Sequence, residues 1–66
     1  MKNRVKEERL KINMTQQELA DEIAVSRQTI FAIETGKYIP SAILVMKIAR
    51  TFKKRVEEIF YLEKED

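Results

Sequence analysis

The stretch TQQELADEIAVSRQTIFAIET, Thr15 to Thr35, carries two helix starts written in capping residues and separated by only about a turn of chain. At the first, Thr15-Gln16-Gln17-Glu18, the Thr15 hydroxyl can accept from a free backbone N–H of the first turn, and Glu18 can reach back to the Thr15 amide. The second is Ser26, a preferred N-cap, set just after Ala24-Val25 and followed by Arg27-Gln28-Thr29-Ile30. Leu19, Ala20 and Ile23 share one face of the first helix, and Ile30 and Ile33 share one face of the second, so the two faces can bury each other. Ala20 supplies a small side chain where the helices cross most closely. Arg27, Gln28, Phe31, Ala32 and, at the end, Thr35 are left on the outside, two hydrogen-bonding side chains followed by two apolar ones.

Working outward, Asn3 can cap a first helix running to about Ile12, with Val5, Arg9 and Ile12 on one face and Met14 closing it. Asn13 reads as a left-handed stop, and Gly36 as the stop after the helix that ends near Glu34. Pro40 biases Ile39 away from helical backbone, so 37–40 form a loop. Ser41 then caps a fourth helix to about Phe52, with Ile43, Leu44, Ile48, Ala49 and Phe52 pointing inward. Lys53-Lys54-Arg55 has no clear propensity, and Val56, Ile59 and Phe60 make a last short helix.

The run from Gln16 to Thr35 resembles the helix-turn-helix of the phage-repressor, Cro and XRE-like transcription factors. The likeness rests on the Thr15-Gln16 start, the small Ala20, the Ser26 to Ile30 opening of the second helix and the Glu34, Gly36, Lys37 exit. Pro40-Ser41 and Glu57-Glu58-Ile59-Phe60 extend it over nearly all of the chain. Two positions depart from the pattern: Ala24 stands where Gly is frequent, and Arg55 stands at a small capping position whose job it cannot do. The resemblance implies an all-α, five-helix, lambda-repressor-like domain with a central helix-turn-helix, spanning 1–66 as one domain. It further implies a pair between Arg9 and Glu34; the competing reading of Arg9 is a stem lying over the core with its guanidinium in water.

Composition bounds the alternatives. Sixty-six residues lie near the lower limit for a core that folds unaided, and without Cys or His there is neither a disulfide nor a His/Cys metal set to help. Hydrophobic residues at 44%, with one Gly and one Pro, favour a helical fold over a disordered tail. The same lack of His and Cys removes the usual general base and thiol nucleophile, and a single Gly does not build a phosphate-cradling loop, so no enzyme and no cofactor are expected. The segment MKNRVKEERLK has no apolar run and no stretch approaches spanning length, so a cytoplasmic address is expected.

Net charge is only +2, but it is sorted along the chain. Residues 1–13 carry +3 from five Lys/Arg against two Glu, residues 14–36 carry −3, residues 37–55 carry +6 and residues 56–66 carry −4. The basic blocks flank the proposed reading helix, as phosphate contacts require, although charge runs are more often simply solvated helix faces.

These positions suggest double-stranded DNA as the partner, with the helix from Arg27 entering the major groove. Arg27 can donate twice to guanine and Gln28 can pair with adenine, while Phe31 and Ala32 offer apolar surface to thymine methyls. For Arg27 the competing role is a phosphate contact, and for Phe31 it is packing against Tyr38 or the loop. Phosphate contacts are expected from Gln16, Ser26, Thr29, Thr35, Lys37 and Tyr38, with Thr29 equally readable as helix filling. Ile59, Phe60, Tyr61 and Leu62 are an apolar surplus at the end: either they fold back over the first helix, or they form a two-fold dimer interface that can include a short terminal strand. The regulator reading, a homodimeric repressor on an inverted repeat, has one rival, an antitoxin or co-regulator module whose main role is binding a partner protein.

Overall fold

The computed structural model describes all 66 residues. Five helices, α1 (Val5–Lys11), α2 (Gln16–Ile23), α3 (Arg27–Glu34), α4 (Ala42–Phe52) and α5 (Val56–Ile59), are accompanied by two short strands, β1 (Lys2–Asn3) and β2 (Phe60–Tyr61). The strands pair antiparallel, Lys2 opposite Tyr61 and Asn3 opposite Phe60, so the two ends of the chain are joined.

Local chemistry sets most of the boundaries. Thr15 makes the full capping box: its hydroxyl accepts from Glu18 N at 3.0 Å and its own amide donates to Glu18 Oε1 at 2.8 Å. Ser26 and Ser41 cap α3 and α4 by accepting from Thr29 N and Leu44 N. Asn13, Ala24, Gly36 and Lys53 take left-handed backbone where helices stop. Ala24 thus keeps the left-handed geometry that favours Gly, with φ of 60°. Lys53 stops α4 in the same way, and Arg55 precedes α5 without any side-chain cap.

The core is one cluster. Leu19, Ala20 and Ile23 of α2 meet Ile30 and Ile33 of α3, with Val5, Ile48, Ala49, Phe52, Ile59 and Phe60 completing it. All five residues expected at the α2/α3 crossing are buried, four of them completely and Ile23 at 2% exposure.

Four sequence expectations are corrected. Asn3 is not the helix cap: it lies in β1, where its Oδ1 accepts from Val5 N and its Nδ2 donates to Ile33 O at 2.9 Å, tying the first strand to α3. Ile12 follows the end of α1 and is 51% exposed, because the chain turns at Asn13 before that side chain can face the core. Ile43 points outward, and Ile48, Ala49 and Phe52 form the buried face of α4. Phe60 leaves the helix for a strand, since pairing with β1 satisfies its backbone while its ring stays in the core.

Candidate nucleic-acid interface

Burial of Ile30 and Ile33 fixes the rotation of α3, and that fixes what the helix shows. Arg27, Gln28 and Phe31 are turned outward, with Ala32 half-buried beside them. Neither the Arg27 guanidinium nor the Gln28 amide has a hydrogen-bond partner or counter-ion among the polar side chains of the fold. Phe31 keeps 49% of its surface in water rather than folding against the loop. Val25, Gln28, Thr29, Ala32, Tyr38 and Leu44 surround an open depression of about 390 Å³ along this stripe.

The flanks are held rigidly. The Ala32 carbonyl accepts from both Lys37 N at 2.9 Å and Tyr38 N at 3.2 Å, so the loop after α3 is fastened to the helix itself. Gly36, with φ of +76°, makes that return possible. Lys37 has no intramolecular counter-ion, whereas Lys54 and Arg55 further along the basic block both reach Glu58. At the starts of α2 and α3 the caps occupy the third amides, leaving the N–H groups of Gln16, Gln17, Arg27 and Gln28 without partners in the chain. Free first-turn amides at the positive end of a helix are suited to phosphate oxygens.

Four of the six residues expected to contact phosphate already have hydrogen-bond partners within the chain. Gln16 Nε2 donates to Glu34 Oε1 at 3.1 Å, Thr35 Oγ1 donates to Phe31 O at 2.8 Å, and the Ser26 and Thr29 hydroxyls pair with each other at 3.0 Å. Gln16 therefore offers its backbone amide more readily than its side chain. Behind the stripe, Arg9 and Glu34 meet in a two-pronged contact, Nε to Oε2 at 2.7 Å and Nη2 to Oε1 at 3.2 Å, with side chains only 8% and 3% exposed. Arg9 Nη1 also donates to Met14 O at 2.8 Å, fastening the α1–α2 connection. Sequence reasoning did not find the Met14 and Gln16 members of this network, which depend on where α1 and α3 come together. No group of three or more acidic, His or Cys side chains is placed to hold a metal.

Ile59 and Phe60 are buried in the chain's own core, and β2 pairs with β1 of the same chain. Tyr61 is half-buried, its hydroxyl donating to Glu58 O and its ring lying 5.1 Å under the Arg4 guanidinium. Only Leu62, 81% exposed, remains of the expected apolar tail surface.

A helix-turn-helix family profile matches residues 5–59, from the first residue of α1 to the last of α5. The chain belongs to that family, the Cro/C1-type helix-turn-helix transcriptional regulators. An uncharacterized regulator of this type from Methanocaldococcus jannaschii is 50% identical over 66 residues, covering all of both chains. Another from Archaeoglobus fulgidus is 50% identical over all of this chain and 93% of its own, and YgzD of Bacillus subtilis is 44% identical over the whole of both. The crystal structure of the restriction-modification controller protein C.AhdI from Aeromonas hydrophila has the same fold, with a TM-score of 0.79 over 86% of each chain at 24% identity. Members of this helix-turn-helix family are DNA-binding transcriptional regulators rather than enzymes. No helix of the chain is long and apolar enough to cross a membrane.

Proposed function

We propose that the chain is a cytoplasmic, sequence-specific repressor that binds an inverted repeat in double-stranded DNA as a homodimer. The supporting observation is the stripe on α3: Arg27 and Gln28 stand exposed without partners beside Phe31 and Ala32, on a helix whose rotation is fixed by Ile30 and Ile33. In the major groove Arg27 donates to guanine O6 and N7, Gln28 pairs with adenine, and Phe31 and Ala32 meet thymine methyls. The first-turn amides of α2, with Lys37, Tyr38 and the Ser26–Thr29 hydroxyl pair, meet phosphates and set register. Two copies related by a two-fold axis present α3 to half-sites about 34 Å apart. Occupancy of such a site overlapping a promoter excludes other proteins from it, which is how a small domain represses.

Selection from a random duplex library at near-physiological salt, with the protein's mass determined alongside, tests this reading. An inverted-repeat motif recovered by a species of twice the chain mass is the expected result. Binding should weaken by about 0.9 log units per phosphate contact for each tenfold rise in salt. Salt-sensitive binding with no recoverable motif would refute sequence-specific recognition.

A further inference from the structure

β1 is only two residues long, yet the fold anchors it on both sides. Lys2 and Asn3 pair with Tyr61 and Phe60, and Arg4 N donates to Ile59 O at 2.7 Å, so the strand is fixed to a segment whose Ile59 and Phe60 side chains lie in the core. Its other side borders the exit of α3, where Lys2, Asn3, Glu34, Thr35 and Gly36 line one open depression. The half-buried Asn3 side chain bridges the two, its Oδ1 accepting from Val5 N at 3.1 Å and its Nδ2 donating to Ile33 O at 2.9 Å.

What Asn3 holds is the point from which the loop after α3 departs. The Ile33 carbonyl accepts a second bond from Gly36 N at 3.1 Å, so both of its lone pairs are used. One residue earlier, the Ala32 carbonyl accepts from Lys37 N and Tyr38 N. Two successive carbonyls therefore carry the whole turn 36–38, and one of them is tethered to a side chain 30 positions away. Carbonyls at a helix end are ordinarily left to water or to local turns, and such ends fray. A tether from an anchored strand removes that freedom.

We propose that Asn3 is a positioning residue for DNA binding: through Ile33 O and Gly36 it holds Lys37 and Tyr38 in place for phosphate contact beside the reading stripe. The role rests on the DNA-binding reading and assigns part of it to a residue outside the helix-turn-helix. A cation on a fixed turn loses less freedom on meeting a phosphate than one on a frayed helix end, so the tether favours binding without touching DNA. Asparagine suits the position because one amide accepts and donates at once, while its backbone stays in the strand pair.

A double-mutant cycle between Asn3→Ser and Lys37→Ala/Tyr38→Phe, read as affinity for the duplex that the parent selects, tests the role. The serine hydroxyl can still accept from Val5 N, but it ends where the Asn3 amide carbon sits, short of Ile33 O. Helical circular dichroism should match the parent's. Asn3→Ser should bind about ten-fold more weakly, the scale of one charge-assisted hydrogen bond, and the slope of log affinity against log salt should become shallower by about 0.9. In the Lys37→Ala/Tyr38→Phe background the same substitution should cost less than about two-fold, because the contacts it positions are already gone. Losses that simply multiply overturn the role, since Asn3 would then act on the fold as a whole. Binding by Asn3→Ser within about two-fold of the parent overturns it as well, and in both cases the parent's motif leaves the DNA-binding reading standing. If the parent recovers no motif, sequence-specific recognition fails and the cycle runs on a random duplex, where the same outcomes decide. A parent that binds no duplex overturns both. Should Asn3→Ser misfold, Asn3→Thr, with the same hydroxyl and a stronger preference for strand, takes its place in the cycle.

Discussion

Replacing Arg9 with alanine should be among the most damaging single changes in this domain, and it should leave base preference untouched. The substitution removes three donors from a nearly dry site: the two that reach Glu34 at 2.7 and 3.2 Å, and the one that reaches Met14 O at 2.8 Å. Glu34, whose side chain is 3% exposed, is then left with Gln16 Nε2 as its side-chain donor. Breaking a buried pair from one side costs about 3–5 kcal/mol, because the remaining group loses both its partner and its water. A domain of this size has roughly 3–10 kcal/mol in total, so the variant should lose a large share of its stability. At about 4–8 °C per kcal/mol, a loss of 3 kcal/mol lowers the melting temperature by roughly 12–24 °C. Thermal and urea melts followed by circular dichroism read this directly, and binding of the folded fraction to the selected duplex checks that the motif is unchanged. The double variant Arg9→Met/Glu34→Leu should recover much of the loss, since an apolar pair of similar volume has no charge to strand. A melting temperature for Arg9→Ala within about 3 °C of the parent would refute the reasoning, since that corresponds to less than 1 kcal/mol at this site.

Arg27→Ala and Gln28→Ala should each relax base discrimination by about 1–3 kcal/mol, read as the ratio of affinities for selected and scrambled duplexes. Their melting temperatures should stay near the parent's, and unfolding of either variant would show that the stripe is structural. Ala24→Gly should stabilise by a few tenths to about 1 kcal/mol, because relief of left-handed strain exceeds the added freedom of the unfolded glycine, and a urea midpoint below the parent's would contradict this. The link between the chain ends should respond to pH in both directions. Hydrogen bonds from Asp66 first, then Glu63, raise the Met1 amine above its ordinary value, so its contribution is complete below the ordinary amine range and fades as pH rises through the raised one. The Glu63 amide, and then the Met1 amine, lower Asp66, so its contribution is present above the ordinary carboxylate range and fades as pH falls through the lowered one. Amide shifts of Lys2 and Tyr61 followed by NMR across pH should therefore be flattest near neutrality.

Several features were determined by the sequence alone because they depend on chemistry within four residues. The capping box at Thr15, the caps at Ser26 and Ser41 and the left-handed stops at Asn13 and Gly36 each need only a side chain and the backbone beside it. The α2/α3 crossing was legible for a related reason: two short amphipathic helices joined by one turn have little choice but to bury their apolar faces together. Other features were decided only by tertiary structure. Periodicity shows which residues of α4 share a face, but the helix is apolar nearly all round, so only its docking could decide that Ile48 goes in and Ile43 stays out. A two-residue strand has almost no local signature, and Phe60–Tyr61 becomes one because Lys2–Asn3, some 58 positions earlier, lies alongside it. The same holds for Gln16, whose amide was legible as a phosphate donor until the approach of α3 brought Glu34 within 3.1 Å of it. Local hydrogen bonding is encoded where it occurs, whereas the partner of a face, an edge or a buried charge is set by whichever distant segment arrives there.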